Sequence, residues 1–197
     1  MLPSVSPCAH AQQDVADSAR TAALAPNYWR QFFLGAATSI LSHEGGHIAT
    51  ALAYGRVPTF NFDKGRPTVY SGINARTEPH KQFVFSSMGL NVQSAMDEAI
   101  LDTPHHRGSA FERGVLAGGI GTTLFYITIG RSGSVSDVDY MSRTSSLSKN
   151  EISLIYGSIA ALHVFRIRKD GHYANFFARP AVDGSGRLKI GLDVSPD

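Results

Sequence analysis

Ser42-His43-Glu44-Gly45-Gly46-His47 sets two histidines four residues apart, with a glutamate directly after the first, inside the apolar run from Phe32 to Tyr54. Positions four apart share one face of an α-helix, so His43 and His47 can offer imidazole nitrogens to one divalent ion while Glu44 stands beside them. With zinc as that ion, the trio is equipment for hydrolysing a peptide bond: the metal acidifies a water and the carboxylate takes its proton. Phe32, Phe33, Leu34, Ile40, Leu41, Ile48 and Leu52 surround the motif. Burying three ionisable groups there without a shared partner would be costly. Gly45 and Gly46 would each weaken a helix by about 1 kcal/mol, a pairing explained if a substrate strand or a neighbouring helix must come close.

A catalytic zinc takes three protein ligands and keeps one position for water, so the two histidines leave one ligand to find. Cys8 is the only cysteine, which excludes an internal disulfide and a Cys-rich zinc site and leaves histidines and carboxylates. In the longer metzincin motif a third His stands six residues after the second, and that position here is Ala53. A carboxylate on a following helix is the thermolysin-type solution, for which Glu98, with Asp97 beside it, is the candidate. Glu78 precedes Pro79 and is pushed out of helical conformation. His105 and His106 follow Pro104, and adjacent side chains on one backbone point in different directions. His163, near Ala160 and Leu162, reads as a packed core histidine.

These residues need elements to position them, and the pattern is mainly α: a bundle of about four apolar helices, a β-hairpin after the first and a second hairpin at the C-terminus. Pro26 suits a helix start and Gly55 a stop, bracketing the motif helix. Thr59–Asp63 and Pro67–Ser71 flank Lys64-Gly65-Arg66 as hairpin strands. Further helices are expected over about Lys81 to Leu101, Phe111 to Ile129 and Asn150 to Ile167, the last with Ser148 or Asn150 as cap. The second of the four carries Asn91, Gln93, Asp97 and Glu98 among apolar neighbours, so it has a polar face directed at something. Arg131 to Lys149 reads as a polar loop. Tyr173–Ala178, a turn at Gly184-Ser185-Gly186 and Leu188–Leu192 suggest the closing hairpin. The organisation is then a polar N-terminal arm over 1–25, a helical metalloprotease-like domain over 26–170 and a hairpin tail over 171–197. Ala9-His10-Ala11 fits a signal-peptidase site with too little apolar sequence before it, so the arm is a candidate signal-peptide remnant.

A length of 197 residues with 43% hydrophobic content suits one domain with a sizeable core. A net charge of +2 with scattered Lys and Arg offers no stripe for phosphates, which argues against nucleic acid as a partner. The run from Phe32 to Tyr54 is long enough to cross a bilayer core of about 30 Å at about 1.5 Å per residue. Glycines at 114, 118, 119 and 121 suit close helix packing in lipid. Ionisable residues in apolar helices are the expected mark of an intramembrane site. Together these favour an integral, multi-pass protein, such as one of a bacterial inner membrane. Lys and Arg divide evenly between the two sides, so the positive-inside rule assigns no orientation.

A helix bearing H-E-x-x-H, then a β-hairpin, then helices with an Asn and a late Asp, resembles the site-2 protease family of intramembrane zinc metalloproteases over about Phe32 to Ile167. The resemblance implies that His43 and His47 bind zinc, that Glu44 is the base, and that Asn91 in Met88-Gly89-Leu90-Asn91 is a polar neighbour of the site. It further implies Asp137 or Asp139 as the distant third ligand. Asp137 is preferred because Gly130-Arg-Ser-Gly133 before it lets a loop turn back. The family's Asn-Pro and Leu-Asp-Gly signature around that Asp is absent. The expected function is a zinc-dependent endopeptidase acting within or at a membrane, on a protein or peptide substrate that can include a membrane-spanning segment. The rivals are a non-catalytic metal-binding membrane protein and a soluble zinc hydrolase using Glu98.

Overall fold

Five α-helices and a short 3-10 turn carry the architecture among the described residues, which in this computed structural model are 7–63, 66–105, 107–133, 135–173, 179–182 and 188–191, with side chains over 27–63, 67–105, 107–133 and 135–173. The motif helix α1 spans Pro7–Ala53. It therefore begins well before Pro26, and the expected arm is largely helical backbone. β1 (Thr59–Asp63) and β2 (Arg66–Tyr70) pair antiparallel, from Thr59 opposite Tyr70 to Asp63 opposite Arg66, as the sequence suggested. α2 (Pro79–Asp102), α3 (Ala110–Ile127) and α5 (Lys149–Lys169) fall within two residues of the expected bounds. Pro79 opens α2, while capping boxes at Ser109/Glu112 and Ser148/Glu151 satisfy the first amides of α3 and α5.

The expected polar loop between α3 and α5 is instead a 3-10 turn, Gly130–Ser132, followed by the short helix α4, Asp137–Arg143. Its Val138 and Met141, 0% and 1% exposed, pack with Leu90, Ile152 and Tyr156. That apolar anchoring, invisible in so short a stretch, is what makes the segment helical and fixes its first residue. In the tail, Tyr173 lies in a turn, buried against Leu101, Leu116 and Ile167. Strands β3 (Arg179–Val182) and β4 (Leu188–Gly191) pair antiparallel, so the first tail strand lies C-terminal to the expected Tyr173–Ala178. Residues 174–178 and the expected turn at 184–186 lie outside the described residues.

Among the described residues no helix is long and apolar enough to cross a membrane, which overturns the integral, multi-pass reading. The physical reason is visible in the helices themselves: α1 interrupts its apolar run with Ser39, Ser42, His43, Glu44, His47 and Thr50, and α2 carries Gln82, Gln93, Asp97, Glu98 and Asp102. Of the glycines read as lipid-type packing, Gly114, Gly118 and Gly119 serve contacts between helices of this bundle, while Gly121 has open space. A Cβ at Gly35 would come 2.0 Å from the Phe111 carbonyl oxygen, and one at Gly114 would come 2.0 Å from that of Phe32. α1 and α3 thus cross almost backbone to backbone, and they form the most extensive helix pair.

Candidate metal centre

His43, Glu44 and His47 lie on the buried side of α1, facing α2, α4 and β2, and each is less than a tenth exposed. Each imidazole is held from behind. His47 Nδ1 donates to the Phe85 carbonyl at 2.7 Å. His43 Nδ1 donates to Gln93 Oε1 at 2.9 Å. The Gln93 amide is itself oriented, because Nε2 donates to the Ser39 carbonyl at 3.2 Å and to Ser39 Oγ at 3.1 Å. Tyr126 stacks on His43 with ring centroids 5.3 Å apart and 15° between planes. Since both Nδ1 atoms face acceptors, both carry hydrogen, and the Nε2 atoms of the neutral rings are left as lone pairs.

Those lone pairs converge with a carboxylate from the far end of the chain. Asp137, first residue of α4, places Oδ2 at 3.1 Å from His43 Nε2 and 3.4 Å from His47 Nε2. The two Nε2 atoms are 3.2 Å apart. Ligands about 2.05 Å from a tetrahedral zinc stand about 3.3 Å from one another, so these three edges match one face of such a tetrahedron. Three electron-pair donors aimed at one point repel unless a cation or proton sits among them. The buried group His43, His47 and Asp137 could hold a metal ion.

The metal-free electrostatics agree. Burial opposes protonation of His47, yet the adjacent Asp137 carboxylate outweighs it and lifts the imidazole to about 9. Burial pushes Asp137 up, but His47 and His43 overcome this and hold it well below the usual carboxylate range. Glu44 goes the other way: burial raises it, and the pull of the two imidazoles does not cancel that rise. Its carboxylate accepts a hydrogen bond from the Val69 amide of β2. Val69 packs against Ala51 and Phe85, which clamps the hairpin over the motif. A cavity of about 280 Å³ adjoins the group, bordered by Glu44, His47, Asp137, Ser136, Tyr126 and Tyr140.

The remaining candidates have other partners. Glu98 pairs with His163 Nε2 at 2.9 Å and with Arg166, and Asp97 lies 3.4 Å from His163 Nδ1. His163 is thus a buried histidine between two carboxylates of α2. Asp139 pairs with Arg143 and, at 2.6 Å, with Lys149. Glu78 binds Arg56 at 2.6 Å and Lys81 at 2.5 Å. His105 bonds the Thr103 carbonyl at 2.7 Å and Glu112 at 2.8 Å, and His106 lies outside the described residues. Asn91 accepts from the Tyr156 hydroxyl at 2.9 Å. Tyr156 is pushed up to about 12 by burial and by Asp137, so the phenol that Asn91 accepts from feels the group's carboxylate, while the Asn91 amide donates to Ser87 Oγ at 3.4 Å.

Two residues that touch the group went unassigned in the sequence. Gln93 was visible only as one member of the polar set on its helix. Gly89 has a sharper role: a Cβ there would stand 2.5 Å from His43 Nε2 and 2.6 Å from His47 Nε2. A glycine inside a helix costs about 1 kcal/mol and so signals a reason, though not which one. Gly46 answers to packing, since its Cβ would meet the Met88 carbonyl at 2.9 Å, while Gly45 has open space. Comparison of the chain with protein families, with characterised proteins and with solved structures finds no match.

Proposed function

We propose that this protein is a zinc-dependent peptidase. The observation that carries the reading is the triangle of His43 Nε2, His47 Nε2 and Asp137 Oδ2, with edges of 3.1, 3.2 and 3.4 Å, beside a buried Glu44 and a cavity. Two imidazoles and one carboxylate are a donor set suited to zinc in a hydrolytic site. The metal, when bound, supplies Lewis acidity toward water and the substrate carbonyl. Everything else is done by the chain. Gln93 and the Phe85 carbonyl fix the tautomers and aim of the two imidazoles, as outer partners of metal-binding histidines do. Glu44, whose carboxyl burial raises above its usual range, takes the proton of the attacking water and returns it to the departing amine nitrogen. Phe85, Val69 and Tyr126 keep bulk water from the reacting centre. Two motif histidines with a distant Asp are the ligand set of the site-2 protease resemblance, and a peptide bond is the substrate it implies.

Glu44→Gln tests this reading. The variant keeps the ligands and loses the proton acceptor, so zinc content of about one per chain should persist while turnover of a peptide substrate falls about a hundredfold or more. Wild-type turnover in that variant would remove Glu44 from the chemistry. Zinc retention with no proteolysis by the wild type would make the group a structural metal site.

A further inference from the structure

Part of the cavity wall is a chain of neutral polar side chains. Ser71, which follows β2, and Gln82 and Ser86, one turn apart on α2, all line the cavity and are 6%, 4% and 1% exposed. The Ile73 amide donates to Ser71 Oγ, Ser71 Oγ donates to Gln82 Oε1, and Gln82 Nε2 donates to Ser86 Oγ, each at 3.0 Å. Because the chain runs in one direction, it leaves the Ser86 hydroxyl proton, the second Gln82 amide proton and one lone pair on each of Gln82 Oε1, Ser71 Oγ and Ser86 Oγ unspent. On the α4 side of the same cavity, Ser136 Oγ is buried, makes no capping bond and has no partner among the described residues. Leaving such groups unpaired under a bound ligand is costly, so they select what binds.

The charged lining is equally selective. Glu44 and Asp137 face the cavity and no Lys or Arg does among the described residues, so an acidic side chain would meet carboxylates without a cationic side chain. A Lys or Arg side chain would bring only donors and leave the Ser86 and Gln82 protons unanswered, and on the peptidase reading the metal and its water already engage Asp137 and Glu44. An apolar side chain would bury all the unspent groups unanswered. The volume, about 280 Å³, equals that of roughly nine waters at about 30 Å³ each, enough for a medium side chain with its flanking backbone. Resting on the peptidase reading, we infer that this cavity is a specificity pocket for a neutral carboxamide-bearing residue, Asn or Gln, of the substrate peptide. One carboxamide matches the unspent inventory, its carbonyl accepting from Ser86, Ser136 or Gln82 and its amide donating to Gln82 Oε1.

The test uses peptides differing at one residue, Gln against Met and Asn against Leu, scanned through the positions flanking the cleaved bond. Binding to zinc-loaded Glu44→Gln protein is read by fluorescence polarisation, and cleavage by wild type is read separately. The carboxamide member should bind about tenfold or more tightly at one position, since a site built for hydrogen bonds rejects the isostere lacking them. Gln82→Leu should abolish the preference at unchanged zinc content, and Ser86→Ala, which deletes a single hydroxyl, should weaken it if Gln82→Leu does not fold. Equal binding of each pair, or a preference surviving both variants, overturns the inference and leaves the peptidase reading standing. Selective binding without any cleavage by wild type supports the pocket and sinks the peptidase. Neither binding nor cleavage overturns both.

Discussion

Gly89→Ala is a substitution that helix propensity favours and the proposed metal centre forbids. In an ordinary helix interior the change gains about 1 kcal/mol. Here the added methyl would stand 2.5 Å from His43 Nε2 and 2.6 Å from His43 Cε1 and His47 Nε2, at least 0.8 Å inside the 3.4 Å at which ordinary contact begins. Neither ring has room to retreat, because Gln93 and the Phe85 carbonyl hold their Nδ1 atoms and Tyr126 lies behind His43. Overpacking of this kind costs about 1–3 kcal/mol, so metal-free stability should change by between nothing and a loss of about 2 kcal/mol. Zinc binding should suffer far more, since the methyl occupies the space where the donors converge. At zinc one hundred times its dissociation constant the wild type gains about 2.7 kcal/mol, and a variant weakened about a hundredfold gains about 0.4 kcal/mol at the same concentration. For a chain of this size those gains correspond to shifts of roughly 5–11 °C and 1–2 °C. Thermal melts with and without zinc measure both, and Gly45→Ala, whose Cβ meets nothing within 4 Å, is the control that should keep the full shift. An undiminished zinc shift in Gly89→Ala would refute the placement of the metal between His43, His47 and Asp137.

Alanine at His43, His47 or Asp137 should empty the site, whereas alanine at Glu98 or Asp139 should leave about one zinc per chain; metal analysis of folded protein decides, and an empty Glu98 variant beside a full Asp137 variant would make α2 the ligand-bearing helix. Gln93→Leu removes the acceptor that aims His43 and should weaken zinc binding about 10–100-fold with the fold intact, read by chelator competition. The pH dependence follows from His47, raised from 6.5 to about 9 without metal. Its protonation contributes metal-free stability that is full below about 6.5 and lost as pH rises through about 9. Zinc must displace that proton, so affinity should climb about tenfold per pH unit toward about 9 and then level off, with proton release visible by calorimetry in buffers of different ionisation enthalpy. A flat profile across that range would remove His47 from the ligand set.

Local spacing alone determined half of the centre. His43, Glu44 and His47 are neighbours by helix geometry, so their association is legible in six residues, and the same short-range rules made the first hairpin and, within two residues, the limits of α2, α3 and α5 readable, the start of α5 from Ser148. The membrane reading fails because ionisable residues in apolar helices fit a buried site in a helical bundle as well as an intramembrane one, and here they interrupt the apolar runs and turn inward to the site and to partner helices. Tertiary structure decided the other half. Asp137 lies 94 residues from His43, and it reaches the centre because Val138 and Met141 bury α4 against Leu90, Ile152 and Tyr156. The glycine-rich approach that favoured Asp137 serves Asp139 as well, and it is the turn of α4 that sends Asp139 toward Arg143 and Lys149 instead. Gln93 rather than Asn91 meets His43 because a helix turns about 100° per residue and two positions apart lie on nearly opposite faces. Only the packing of α2 on α1, close enough to require glycine at 46 and 89, decides which face that is.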